Sequence, residues 1–255
     1  FVLGLVTITR RVPRRRIALV CRPEFFGTLG ASPFWNLLLD HLRARARHRR
    51  EEILFWFTDG DVPSQSQSDA MEDGHVQGVI GVGVAVSVVE AVVGRRIPFV
   101  AFAGPGPYTV AIDHARLVAS GRAALAGLGC RRVEEIPRPA DAASGQEWGY
   151  RWASERLALP RSDWPDGLVS TNDMCTAGLL GALHERRVTP GTDLRVATHA
   201  NEGSPVLLGW EPDLVQMVVR PEEIVDSLFE LLEVQFAGAG DGDACERRVS
   251  IATVV

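Results

Sequence analysis

Short apolar runs alternate with helical patterns along almost the whole chain, and this alternation limits the fold more than any other feature. IALVC (17–21) is a continuous apolar run, as expected of a parallel strand buried on both faces. A helical pattern follows, with apolar residues at Phe34, Leu37, Leu38 and Leu42. Ser32 is placed to cap that helix, with Pro33 at its first position. EEILFWF (51–57), a segment within QGVIGVGVAV (77–86), IPFVAFA (97–103) and TVAIDH (109–114) read as strands. So do RRVEEI (131–136), DGLVST (166–171), LRVATHA (194–200) and LVQMVV (214–219), and RRVSIATVV closes the chain as one last strand. Helices are predicted over SVVEAVVGRR, ARLVASGRAALAGLGC, GQEWGYRWASERLA, MCTAGLLGALHERR and the segment EEIVDSLFELLEVQF opened by Pro221. TDGDVPSQSQSD (58–69) reads as a polar loop, and AGAGDGDA (237–244) as a surface loop.

Strand–helix alternation builds doubly wound parallel sheets. About nine strands are too many for one open sheet of this length, so two smaller α/β lobes facing each other are expected. GPGPYTV (104–110) marks the first crossing between them. A ligand cleft would then lie at the carboxyl ends of the strands.

Composition removes several functions. The net charge of −5 argues against nucleic-acid binding by bulk charge. All 27 basic residues are Arg, which excludes a Schiff-base lysine and a phosphate-loop lysine. The run RARARHRR (43–50) reads as a solvated helix end whose cations complement the dipole. The four cysteines, at 21, 130, 175 and 245, have neither redox nor zinc spacing and read as free thiols in a reducing cytoplasm. The six histidines show no ligand spacing, and no GxSxG, HExxH or complete dinucleotide fingerprint occurs. No metal, cofactor or catalytic residue is therefore predicted. No apolar run is long enough to span a membrane, and FVLGLVTITRRVPRRR has the reverse order of a secretory signal.

The candidate site residues cluster at strand tips. Glu24 and Phe25 follow the first strand, and Phe34 and Trp35 open the next helix. Asp59 follows the second strand, while His199 and Asn201 stand at the end of LRVATHA. Asn172 and Asp173 lie between DGLVST and a helix. Helix capping accounts for Asp173 as well as ligand binding does, and core packing does the same for Phe34 and Trp35. Aromatic faces beside amides and carboxylates are what a sugar or similar polyol requires.

From about Arg16 to Val255 the chain resembles the effector-binding domains of LacI/GalR-type transcription regulators, which have a periplasmic-binding-protein-like fold. IALV, SPFWNLLLDHLRARA, QGVIGVGV, IPFVAF, VAIDHARLVASGRAALAGLGCRRV and EWGYRW match in order. PDGLVSTNDMCTAGLLGALHERRVTPGTDLRVATHANEGSP is the most specific stretch. The resemblance implies two Rossmann-like lobes joined by three crossing strands, with a sugar or small metabolite bound between them. It makes Asn172 a ligand contact and Asp173 its structural neighbour. The family's ligand-binding Arg falls at Gln146, and its Asp falls at Ala200, so two charged clamps are replaced by neutral groups. The stretch between Tyr150 and Asp166 is shorter than the family's, as though a strand–helix unit were reduced or missing. FVLG and the basic segment after it resemble the tail of a GntR-type winged helix.

These readings predict a linker over 1–15, a first lobe over 16–110 with about 215–238, and a second lobe over 111–214 with about 246–255. They predict a cytoplasmic, homodimeric regulator that senses a small polar effector and contacts operator DNA through a domain outside this chain. The dimer face is expected on the first helix and a second-lobe element. A solute-binding protein of a sugar transporter would share the fold but requires export. An enzyme on the same plan would require reactive groups that the motifs do not supply.

Overall fold

The computed structural model describes residues 15–22, 32–58, 62–137, 145–238 and 244–254. Among these, eleven strands form two sheets. The first sheet has six strands: β1 (Arg16–Cys21), β2 (Glu52–Phe57), β3 (Gly78–Val82), β4 (Phe99–Phe102), β5 (Tyr108–Ala111) and β10 (Cys245–Arg248), in the order β10-β5-β4-β3-β1-β2. The second has five: β6 (Val133–Glu135), β7 (Gly167–Ser170), β8 (Arg195–Asn201), β9 (Leu214–Val219) and β11 (Ala252–Val254), in the order β11-β9-β8-β7-β6. All pairings are parallel except that of β11 with β9.

Helices cover both faces of each sheet, which is why the central strands, such as Gly78–Val82 and Phe99–Phe102, are buried along their whole length. On the first sheet, α1 (Pro33–Arg49) and α7 (Pro221–Phe236) cover one face, and α2 (Gln65–Glu72) and α3 (Val86–Val93) the other. On the second, α4 (His114–Gly127) faces α5 (Gly145–Arg156) and α6 (Asp173–Glu185) across the sheet. Phe99, Phe229, Leu117 and Leu179 are almost wholly buried in these layers. Each such side chain contributes about 1.5–3 kcal/mol by leaving water. One apolar cluster runs from Ile17 and Phe229 in the first lobe to Leu117 and Met217 in the second, so the lobes share a core.

The chain crosses between lobes three times: between β5 and α4, between β9 and α7, and between β10 and β11. Several boundaries differ from the sequence reading. GPGPYTV is not the first crossing, because Tyr108–Ala111 pairs with β4 inside the first sheet; the crossing follows at Ile112–Asp113. Residues 215–219 belong to the second sheet through their register with β8, so only the helix after Arg220 returns to the first lobe. RRVSIATVV is not one strand. Val249 packs into the core, and the chain divides there into β10 on the first sheet and β11 on the second.

Two local readings also change. The polar loop 58–69 contains the start of α2, whose N-cap Ser64 and Gln67 form a reciprocal capping box. Ser32 stands at the N-cap of α1 but makes no side-chain capping bond; Pro33 fixes the entry instead. The basic end of α1 is not merely solvated. Arg45 pairs with Asp226 at 3.2 Å, and Arg49 with Glu51 and Glu233, tying α1 to α7. Between Arg156 and Asp166 the chain makes a single short turn over Arg161–Asp163, and β6 is the edge of its sheet. No helix among the described residues is long and apolar enough to cross a membrane.

Candidate functional site

A cavity of about 1030 Å³ opens between the lobes at the carboxyl ends of β4, β7 and β8. Its first-lobe wall is aromatic. Phe34 and Trp35 sit at the start of α1, their ring centroids 4.9 Å apart, and each lies about 6 Å from Phe102 at the end of β4. These rings also pack against the core. Phe34 and Trp35 thus both pack against the core and line the cavity.

The second-lobe wall is polar and comes from the tips of β7 and β8. Asn172 is the N-cap of α6, its Oδ1 accepting from the Cys175 N–H at 3.0 Å. That bond leaves its side-chain NH₂ as a donor beside the cavity. Asp173 accepts from the Met174 N–H through Oδ1 and from Asn201 Nδ2 through Oδ2, both at 2.9 Å. An ionised carboxylate only accepts, so this pair fixes the Asn201 amide with its carbonyl oxygen facing away from Asp173. Behind them, Thr176 and Thr198 share a hydroxyl–hydroxyl bond of 2.6 Å with no exposure, locking α6 to β8.

His199 lies beside this pair and is buried. Burial lowers its proton affinity, and nearby His114 lowers it further, while Asp173 and Asn201 oppose the shift. Its Nε2, the Thr171 hydroxyl and Asn201 Oδ1 are buried and make no well-formed hydrogen bond within the protein, and all three residues line the cavity.

Gln146 comes from α5, which lies unusually close to α6. A Cβ at Gly149 would stand 2.1 Å from the Cys175 carbonyl oxygen. The close crossing holds Gln146 and Tyr150, one helical turn apart, over the cavity mouth. The Tyr150 hydroxyl donates to Glu185 at 2.6 Å, a bond that raises its pKa.

Phe34, Trp35, Gln146, Asn172, Asp173, His199 and Asn201 therefore meet at one cavity. Glu24, Phe25 and Asp59 lie outside the described residues. Ala200, where the family's Asp was expected, does not face the cavity: it packs in the apolar cluster against α6, and strand alternation turns His199 and Asn201 toward the opening instead. Sequence reasoning missed Thr171, Tyr150 and His114. Thr171 directly precedes Asn172, and Tyr150 follows Gln146 by four residues on one helix face, so both carried a positional signal. His114 had none before the first crossing was located. No cluster of three or more His, Cys, Asp or Glu suited to a metal occurs among the described residues.

No protein-family model matches the chain, and no curated protein matches it. Solved structures do. A LacI-family transcriptional regulator from Arthrobacter sp. FB24 in complex with lactose aligns with a TM-score of 0.72 and 17% identity, covering 95% of this chain and 98% of that one. A LacI-family regulator from Enterococcus faecium with bound ribose aligns at 0.71 and 15% identity, covering 94% and 97%. The transcriptional regulator CelR in its cellobiose complex aligns at 0.70 and 17% identity, covering 96% and 85%. The chain has the two-lobe, periplasmic-binding-protein-like fold of these regulators.

Proposed function

We propose that this chain is the effector-binding part of a transcription regulator and that its effector is a sugar or similar small polyol. The observation that carries the reading is the two-sided cavity. An aromatic wall on the first lobe faces amides, a carboxylate and hydroxyls on the second. A ring held there would stack on one lobe and hydrogen-bond to the other, and so would favour a closed arrangement. Closure across three crossings would alter the relative placement of the lobes, and with it the spacing of two DNA-reading heads in a homodimer. In this reading operator DNA is contacted through a part outside these 255 residues, the protein works in the cytoplasm, and no catalytic step is involved. Regulators of the same fold solved with lactose, ribose and cellobiose support the choice of ligand class.

The test is a thermal-shift screen of the folded chain against pentoses, hexoses, disaccharides and nucleosides. A ligand that binds the native state raises the melting temperature by mass action. The reading expects a hit that is lost in Gln146→Ala and Asn172→Ala. A screen without shifts on a folded protein would overturn it.

A further inference from the structure

The cleft floor carries three buried polar atoms that make no well-formed hydrogen bond within the protein: the Thr171 hydroxyl, His199 Nε2 and Asn201 Oδ1, the last two on side chains near enough to influence each other. Buried polar atoms left unpaired are costly, so a ligand that pairs with them gains affinity. Their chemistry is unequal. Asn201 Oδ1, an amide oxygen, only accepts, and the bond from Nδ2 to Asp173 fixes that end of the amide in place. The Thr171 hydroxyl donates or accepts. His199 is held neutral by burial, so its ring offers one donor and one acceptor.

Charge is equally one-sided. The ionisable side chains that line the cavity among the described residues are Asp173, Glu147, Tyr150, His114 and His199, with no arginine. The N-terminus of α6 would ordinarily attract an anion. Here its first free N–H groups are already taken by Asp173 Oδ1 and Asn172 Oδ1. An incoming anion would meet the buried Asp173 carboxylate and the negative end of the Asn201 amide, with no guanidinium among the described lining residues to offset its desolvation.

Resting on the effector-sensing reading above, we propose that the cleft selects a polyol or amino-polyol bearing no negative charge, which donates an O–H or N–H to Asn201 Oδ1 and pairs with the Thr171 hydroxyl, and that it rejects the acid form of the same ligand. Hydroxyl groups satisfy both the fixed acceptor and the two ambivalent groups, and an ammonium group satisfies the acceptor while matching the carboxylates. A carboxylate or phosphate on the ligand can accept from Thr171 or His199, but it offers nothing to the Asn201 acceptor and is repelled by the carboxylates.

The experiment is calorimetric titration of the chain with matched sets: glucose, galactose, xylose, lactose and cellobiose, then glucosamine and galactosamine, then glucuronate and galacturonate. The expected result is binding of a neutral or amino member and at least about tenfold weaker binding of its uronate. Thr171→Val keeps the side-chain shape and removes a hydroxyl that bonds to nothing in the protein. It is expected to leave the unliganded melting temperature unchanged or higher and to weaken binding about tenfold. Gln146→Arg, on the exposed face of α5, is expected to bring the uronate to within about threefold of its neutral parent. A uronate that binds wild type as tightly as its parent, or a Thr171→Val variant of unchanged affinity, overturns the proposal. If that tight uronate is lost in Asn172→Ala, the sensing reading survives without the charge rule. No binding by any member overturns both.

Discussion

Gly178 and the Gln146 carbonyl oxygen are in such close contact that a Cβ at position 178 would stand 1.9 Å from that oxygen. Two helices thereby meet backbone to backbone, and α5 can present Gln146 and Tyr150 to the cleft only at this separation. Gly178→Ala forces α5 away from α6. It is expected to destabilise the chain by about 1–3 kcal/mol or more, read from urea unfolding, and to weaken effector binding by displacing Gln146.

Asn172 serves two roles through two atoms, and substitutions separate them. Asn172→Asp keeps an oxygen for the Cys175 N–H and should change stability little, while the loss of the NH₂ donor weakens binding of a neutral ligand. Asn172→Ala loses both and should cost a further ~1 kcal/mol of stability. Thermal unfolding with and without ligand distinguishes the two variants. Equal stability of both variants would remove the capping role.

His199 makes the ligand-free protein sensitive to acid. Its folded-state proton affinity lies below that of a free imidazole, chiefly through burial, so the unfolded chain binds the proton more readily. The stability it contributes is therefore complete above about pH 6.5 and is lost as pH falls below that value. Asp173 on α6 and Asn201 on the same strand moderate the effect, and His114 on α4 strengthens it. The expected measurement is a decline in unfolding free energy between pH 6.5 and 5 that His199→Gln reduces.

The cysteines differ in reactivity. Burial pushes both Cys21 and Cys175 up to about 11, and in Cys175 the neighbouring Asp173 charge acts in the same direction. Cys175 should stay unreactive although it lies in the first turn of a helix. Cys245 is exposed. Alkylation of the native protein at pH 8, followed by peptide mapping, is expected to label Cys245 first and Cys21 and Cys175 only after unfolding.

The layer architecture was legible in the sequence because strands buried on both faces must be apolar throughout, as in IALVC and IPFVAFA, and the intervening helices carry their own period. The tips of those strands were legible for the same reason, and with them Asn172, Asp173, His199 and Asn201. Helix α2 was harder to read. QSQSDAME buries only Gln67 and Met71, so it has almost no apolar stripe, although its S-x-x-Q start carried the capping signal.

The sequence by itself determined the alternation of elements and the kinds of group that gather at one edge, because both follow from local period and from which residues end each strand. Tertiary structure decided what those groups can do. It sent Val249 into the core and so split the last nine residues between two sheets. It turned Ala200 inward and Asn201 toward the cleft. Through Asp173 it fixed which end of the Asn201 amide faces the cavity. These outcomes depend on partners far away in the chain, and no local pattern encodes them.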